Sequence, residues 1–406
     1  MKFKPAIFER LLFPLNKRAY RQIQDALDAI DQKHPGQLQR VLADFKEAAQ
    51  SDTQTATWRP GKADDFVYPT FDIAIFFDKP ANYKLSTLHK STDYKIAVYY
   101  DEKPPAKYTG SHLQLGFFRG NVLNAFIVPL EYLLSFNEQA VLREGSYQLY
   151  SHTILSQDNR GFISKRLEPL GGSGTCNSLP GQQDYQKNAL TYVGITKRTW
   201  QERYRQHCRD SERGSNLRFH RALRGEFCHI GCIEHIVERA GLTQRQALEI
   251  EETEVEKRSL HSLHLNGLNM IPGGYAGLKC VHEYAKRTGY SVTGEVTADN
   301  IESVLVDVQK HQLNQHFNSN EAEKVNAEIA RLWAEDMNFR INAMTGQQNR
   351  FSFRQIQAAR IWHACGWAKE KIFEYLKRLD SKGIGMDQLQ RLLKGETYAS
   401  IPDVLI

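Results

Sequence analysis

The sequence has no long apolar run. Across 406 residues the longest apolar-looking stretch, Asn121 to Phe136, is short and carries Glu131, which points to a buried strand or helix and away from a membrane span. Cysteine is scarce: six residues, with Cys228 and Cys232 the one close pair, imply reduced thiols and no disulfide framework. Glycine (27) and proline (13) are too few for a collagenous chain, and 41% hydrophobic with 25% charged residues excludes a wholly disordered one. The amino-terminal MKFKPAIFERLLFPLNKR places Glu9 and Arg10 inside its apolar part and lacks a small-residue cleavage site, so it does not read as a secretory signal. A soluble, cytoplasmic protein without a membrane partner is expected. Charge of one sign is not dominant either: 53 Lys and Arg against 47 Asp and Glu, net +6, permit a nucleic-acid partner without requiring one.

What is present falls into five segments. Residues 1–60 read as N-terminal helices: NKRAYRQIQDALDAID puts Tyr20, Ile23, Ala26, Leu27 and Ile30 on one face, and Pro35 interrupts before LQRVLADFKEAA. Residues 51–66 are polar and aperiodic, as a linker or loop would be. Residues 61–136 are a β-rich accessory region with the runs FVYPTFDIAIFF, YKIAVYYD and SHLQLGFF, and DEKPPAKY as a turn. Residues 137–277 read as an α+β domain, with strands near Tyr147 to Ile154, Leu190 to Gly194 and Cys228 to Glu234, and helices over Thr199 to Arg209 and Gln244 to Leu260. Residues 156–187 interrupt it with an insertion containing LGGSGTCNSLPGQQD, which has no GK[ST] ending and so is not a phosphate-cradling loop of that type. Residues 278–345 form an acidic helical spacer, with eight Asp or Glu against four Lys or Arg between Thr297 and Arg340. In 346–406 the balance reverses to nine Lys or Arg against five Asp or Glu from Phe351 to Tyr398. Three short helices split by Gly366, Gly383 and Gly385 suit a helix-turn-helix DNA-binding unit.

Two stretches carry chemistry. Thr191 to Glu226 holds nine Lys or Arg and four Asp or Glu; with a helix starting near Thr199, capped by Thr199 or Thr196, Arg203 and His207 fall one turn apart on one face. That pair suits a phosphodiester clamp, because guanidinium donors match phosphate oxygens; a solvated basic helix has the same composition. The second stretch, TQRQALEIEETEVEKRSL, crowds Glu249, Glu251, Glu252, Glu254 and Glu256 together. Ala247, Leu248, Glu251 and Val255 share a side, so Glu251 is the carboxylate placed to serve a hard divalent ion. A charged helix held by pairs such as Glu254 with Arg258 is the plainer alternative.

YVGIT from Tyr192, followed by ERYRQH, resembles the GIY-YIG nuclease superfamily, and Ala247, Glu251 and Val255 followed by NGLNMIPGG resemble its second half. The resemblance implies an α+β catalytic domain with a small central β-sheet flanked by helices, beside an N-terminal α/β region and a helical C-terminal domain. It implies that Tyr192 and Gly194 stand in the YIG-like strand, that Arg203 stabilises charge on phosphate, and that His207 contacts phosphate or positions the leaving group. Glu251 would hold Mg²⁺ or Mn²⁺, with Glu252 and Glu254 as alternatives, and Asn269 would brace the site. The first motif departs from the family: Gly145-Ser146-Tyr147 is the best match, about forty-five residues ahead of Tyr192, with Tyr150 the alternative. FSFRQIQAARIWHACGWAKEKIFEYL and KGETYASI look like DNA-binding tails of phage and homing-type nucleases, with Gly395, Tyr398 and Ile401 at the matching positions.

The function so implied is metal-dependent hydrolysis of DNA, double-stranded, by a chain that acts as a homodimer or nicks twice. Tyr147 or Tyr192 would orient or deprotonate water. A noncatalytic DNA-binding protein and an RNA-processing nuclease are the alternatives. FCHIGC (Cys228, His229, Cys232) has no second ligand pair at finger-like spacing, and Trp58, Trp200, Trp333, Trp362 and Trp367 are scattered, with no stacking platform evident.

Overall fold

In the computed structural model, residues 2–36, 38–39, 42, 70–77, 95–101, 112–119, 121–134, 137–156, 189–215, 217–287, 321–345, 350–379 and 384–403 are described. The 51–66 linker, the DEKPPAKY turn, nearly all of the 156–187 insertion, Gly383 and most of the acidic 278–320 stretch lie outside them. The chain divides into two compact units, Met1–Ser215 with Phe219–Ala247, and Asn216–Arg218 with Leu248–Ile406.

The first unit begins with α1 (Pro5–Leu11) and α2 (Lys17–Lys33). Asn16 caps α2 by accepting the Ala19 N–H at 2.8 Å, and its 3–4 periodicity buries Ala19, Ile23, Ala26, Leu27 and Ile30. Tyr20, on that face as expected, is half-buried and packs against the same core, accepting from Leu15 N–H and donating to Glu9.

Among the described residues seven strands follow: β1 (Thr70–Phe77), β2 (Lys95–Asp101), β3 (His112–Arg119), β4 (Val122–Pro129), β5 (Tyr147–Ser156), β6 (Leu190–Thr196) and β7 (Ile230–Leu242). They form one mixed sheet in the order β2-β1-β3-β4-β7-β5-β6. The expected small central sheet is therefore larger. β4 pairs in parallel with β7, and this joins the strands of the 61–136 and 137–277 segments into one surface. Glu131 is buried in a short helix, α3 (Leu130–Leu133), directly after β4, so the longest apolar stretch is indeed strand and helix.

The main core of this unit unites the amino-terminal helices with the sheet. Ile7, Phe8, Leu27, Phe117, Phe126 and Val237 pack in one cluster with Trp200, the first residue of α4 (Trp200–Glu212). Phe126 and Trp200 meet edge-to-face at 3.9 Å between ring centroids. Thr199 caps α4 in a capping box with Glu202, while Thr196 instead accepts the Arg198 N–H. Trp200, Tyr204, His207 and Ser211 then recur on the buried face, which fixes how the helix lies on the sheet.

α5 (Arg218–Leu223) precedes β7, and α6 (Gln244–Arg258) crosses from the first unit into the second. The second unit continues with α7 (Gly274–Arg287), α8 (Glu321–Glu335), α9 (Met337–Met344), α10 (Phe353–Ala364), α11 (Lys369–Leu379) and α12 (Met386–Leu393). The last three pack against one another, as a three-helix unit requires, around Ile356, Ala359, Ile372, Leu376, Leu389 and Leu392. Ser352 and Gln355 close a capping box at the start of α10. No helix among the described residues is long and apolar enough to cross a membrane, and Cys208, Cys228, Cys232, Cys280 and Cys365 form no disulfide.

Candidate active site

β5 and β6 pair antiparallel with Tyr150 opposite Gly194 and His152 opposite Tyr192. A Cβ on Gly194 would stand 2.8 Å from the Tyr150 hydroxyl and 3.0 Å from Cζ, so glycine is what lets the phenol cross its partner strand. That hydroxyl accepts from Arg203 Nε at 3.0 Å and lies 3.2 Å from His207 Nε2. Arg203 also donates from Nη1 to Gln206 Oε1 at 2.7 Å, which orients the guanidinium along α4. The i,i+4 spacing of Arg203 and His207 thus brings both to one phenol.

His207 Nδ1 lies 3.0 Å from His220 Nε2, and His220 Nδ1 lies 2.8 Å from Ser215 Oγ. With both rings neutral the links run in one direction throughout: either Tyr150 O–H donates to His207 Nε2, His207 Nδ1–H to His220 Nε2 and His220 Nδ1–H to Ser215 Oγ, or every step is reversed, the phenol oxygen then accepting from both Arg203 and His207. Neutral rings are what burial favours: desolvation, with Arg203 adding repulsion, lowers His220 to about 4 and His207 well below its ordinary value. Tyr192 closes the side of this group, stacked on Phe219 at 4.4 Å and edge-on to His207 at 5.4 Å.

Beneath lies a second imidazole pair. His235 Nε2–H donates to Asn124 Oδ1 at 3.2 Å, so its Nδ1 receives the proton of His152 Nδ1 at 2.9 Å. His152 Nε2 is then a buried lone pair with no hydrogen-bond partner among the described residues. Both rings are lowered by desolvation, His152 to about 3 with Arg203 contributing, and His235 well below its ordinary value with His152 contributing.

The geometry therefore gathers Tyr150, Tyr192, Gly194, Arg203 and His207 in the first unit. Tyr147, the preferred first tyrosine from sequence, is not among them: it is buried with the Lys197 ammonium 5.2 Å from its ring centroid. The register of β5 against β7 shifts between Tyr147 and Leu149 and between Leu149 and Tyr150, so the strand is irregular between the two tyrosines. His220 was not singled out in the sequence; it lies thirteen residues beyond His207 on another helix, and only its place in a basic stretch marked it.

The carboxylates belong to the second unit. Glu251 is half-buried, and its Oε2 accepts the Gly274 N–H at 3.0 Å. A Cβ on Gly273 would meet Glu251 Cγ at 2.8 Å, and Gly274, at φ +57°, would drive one to 2.0 Å from the Leu248 carbonyl. The paired glycines of NGLNMIPGG thus let the loop close on α6. Asn269 bridges to Leu260, its backbone accepting from His261 N–H and donating to the Ser259 carbonyl.

The alternative carboxylates are committed elsewhere. Glu252 pairs with Arg350 through both oxygens and accepts the Ala276 N–H at 2.9 Å, while buried Glu254 sits 2.9 Å from Arg258 Nε. Glu256 is buried and accepts the backbone N–H groups of Tyr398 and Ser400, each at 3.1 Å; desolvation lifts its pKa to about 7. Tyr398, at φ +59°, and Ile401 are buried, so the KGETYASI ending closes the three-helix unit instead of presenting these two side chains to DNA.

Glu251 offers a hard oxygen donor in a partly open position, which suits a divalent ion that retains most of its water. Among the described residues no group of three or more His, Cys, Asp or Glu side chains is placed to hold a metal. Compared with protein-family models, with curated proteins and with solved structures, the chain matches none.

Proposed function

We propose that the chain is a metal-dependent endonuclease that hydrolyses DNA phosphodiester bonds. The observation that carries this reading is the phenol of Tyr150 held between Arg203 and His207 over Gly194. In the tautomer that runs from Tyr150 O–H to His207 Nε2, the hydroxyl is prepared for proton transfer: it takes a proton from an attacking water as it passes its own to His207 Nε2. In that tautomer His220 accepts from His207 Nδ1–H and so favours that imidazole as a base. Arg203 offsets charge developing on the nonbridging phosphate oxygens.

The metal assignment, Mg²⁺ or Mn²⁺ on Glu251, rests on the sequence resemblance and on the donor chemistry of that carboxylate. A divalent ion held there supplies Lewis acidity toward phosphoryl and leaving oxygens. Double-stranded DNA as substrate and pairing of two chains for a double-strand cut belong to the same proposal.

Tyr150→Phe is expected to lower metal-dependent nicking of supercoiled plasmid by roughly 10²-fold or more, the size of a lost general base, while Tyr147→Phe stays within about threefold of wild type. Equal loss in both variants, or none in Tyr150→Phe, would remove the phenol from the chemistry. In the same assay Glu251→Gln, with Glu252 and Glu254 untouched, is expected to be inactive.

A further inference from the structure

The three-helix unit carries an aromatic surface that its own packing does not require. Trp362 on α10 and Trp367 in the turn before α11 stack at 5.4 Å with 8° between planes. Tyr375 on α11 meets both edge-on, at 5.8 and 5.4 Å. The scattered tryptophans of the sequence thus do include a stacked pair. These rings lie outside the buried core of Ile356, Ile372, Leu376 and Leu389; Tyr375 is 40% exposed and both tryptophans are half-buried.

Cations line the same surface. The Lys371 ammonium lies 4.0 Å from the Trp367 centroid and the Arg378 guanidinium 5.2 Å from that of Tyr375. From Phe353 to Leu379 there are six Lys or Arg against two Glu. Stackable rings edged by cations complement one kind of polymer, a polyanion whose flat faces are open. Duplex DNA supplies the charge but hides its base faces within the helical stack, whereas single strands offer both.

We propose that Trp362, Trp367 and Tyr375, with Lys371 and Arg378, form a docking surface for single-stranded polynucleotide. A base stacks against the aromatic group, and the ammonium of Lys371 moves from the ring to a phosphate. This does not depend on the nuclease reading, because it concerns binding alone and is measured with metal chelated.

The test uses the full-length chain in EDTA and fluorescence anisotropy of labelled oligo-dT of fifteen nucleotides, with a duplex of equal length as comparison. The oligo-dT is expected to bind more tightly than the duplex. Trp367→Ala and Tyr375→Ala should each weaken oligo-dT binding about 5-fold or more, with Trp367→Phe retaining most of it. Lys371→Ala should reduce the slope of log affinity against log salt by roughly 0.7. Tyr375 is exposed, so its variant keeps the test open if Trp367→Ala fails to fold. Unchanged oligo-dT binding by Tyr375→Ala would overturn the proposal. So would a dimer, seen by sedimentation, that Tyr375→Ala dissolves with no effect on oligo-dT, since the surface would then serve a second copy of the chain.

Discussion

Acidification from pH 7 to pH 4 is expected to unfold the sheet-bearing unit well before ordinary carboxylate titration is complete. His152, His207, His220 and His235 are all buried with lowered pKa values. A group whose folded pKa lies below its unfolded value gives stability that is full above the unfolded pKa, near 6.5, and is lost as pH falls toward the folded one. Each histidine contributes a slope of up to about 1.4 kcal/mol per pH unit within that window. Four together give several kcal/mol by pH 4, a large share of the ~5–15 kcal/mol that usually holds a domain. Glu256, in the other unit, has the opposite sign: its raised pKa favours folding below about 4.5 and loses that contribution as pH rises through about 7. Hydrogen exchange of peptides covering β5 and β7 separates the two effects, since both strands lie in the first unit. Protection in them should fall steeply from pH 6.5 to 4 after correction for intrinsic rates, and less steeply in His235→Gln. A flat profile would mean that the imidazoles carry charge inside the fold.

Arg203→Ala is expected to reduce cleavage of duplex DNA by about 10²–10³-fold at equal folded concentration, the size of a lost donor to a charged transition state. The residue also fixes the Tyr150 hydroxyl, so Arg203→Lys should recover little: an ammonium cannot donate from the Nε position while addressing phosphate with a planar fork. Undiminished cutting by Arg203→Ala would leave the basic face of α4 as solvated surface. Because alanine removes a charge that contributes to lowering His152, His207 and His220, this variant should also soften the acid transition.

Local signals in the sequence carried the local structure. The Thr199 cap, the apolar period of α2 and the β-rich runs of β3 and β5 place elements within a few residues of where they form, because caps and periodicity act over one or two turns. The approach of Arg203 and His207 follows from the same short-range rule. Pairings between distant segments left no such trace. The parallel contact of β4 with β7 brings Phe126 beside His235 from over a hundred residues away, and neither strand encodes its partner. His220 reaches His207 from a separate helix for the same reason. The GxY match favours Tyr147, whereas Tyr150 is the tyrosine that meets Arg203 and His207, contacts made by a separate helix that a strand motif does not encode. At the carboxy end, charge and helical pattern suited DNA binding. The sequence did not show that Glu256 holds the backbone at Tyr398 and Ser400, a buried carboxylate satisfied by main-chain donors.

Incubation of the full-length protein with long duplex DNA in Mg²⁺ or Mn²⁺, against EDTA and against Tyr150→Phe, tests the nuclease reading. Metal-dependent cutting is expected, abolished by EDTA and nearly abolished in Tyr150→Phe. Binding without cutting in either metal, on duplex, branched DNA and RNA alike, would contradict it and leave a nucleic-acid-binding protein in place of an enzyme.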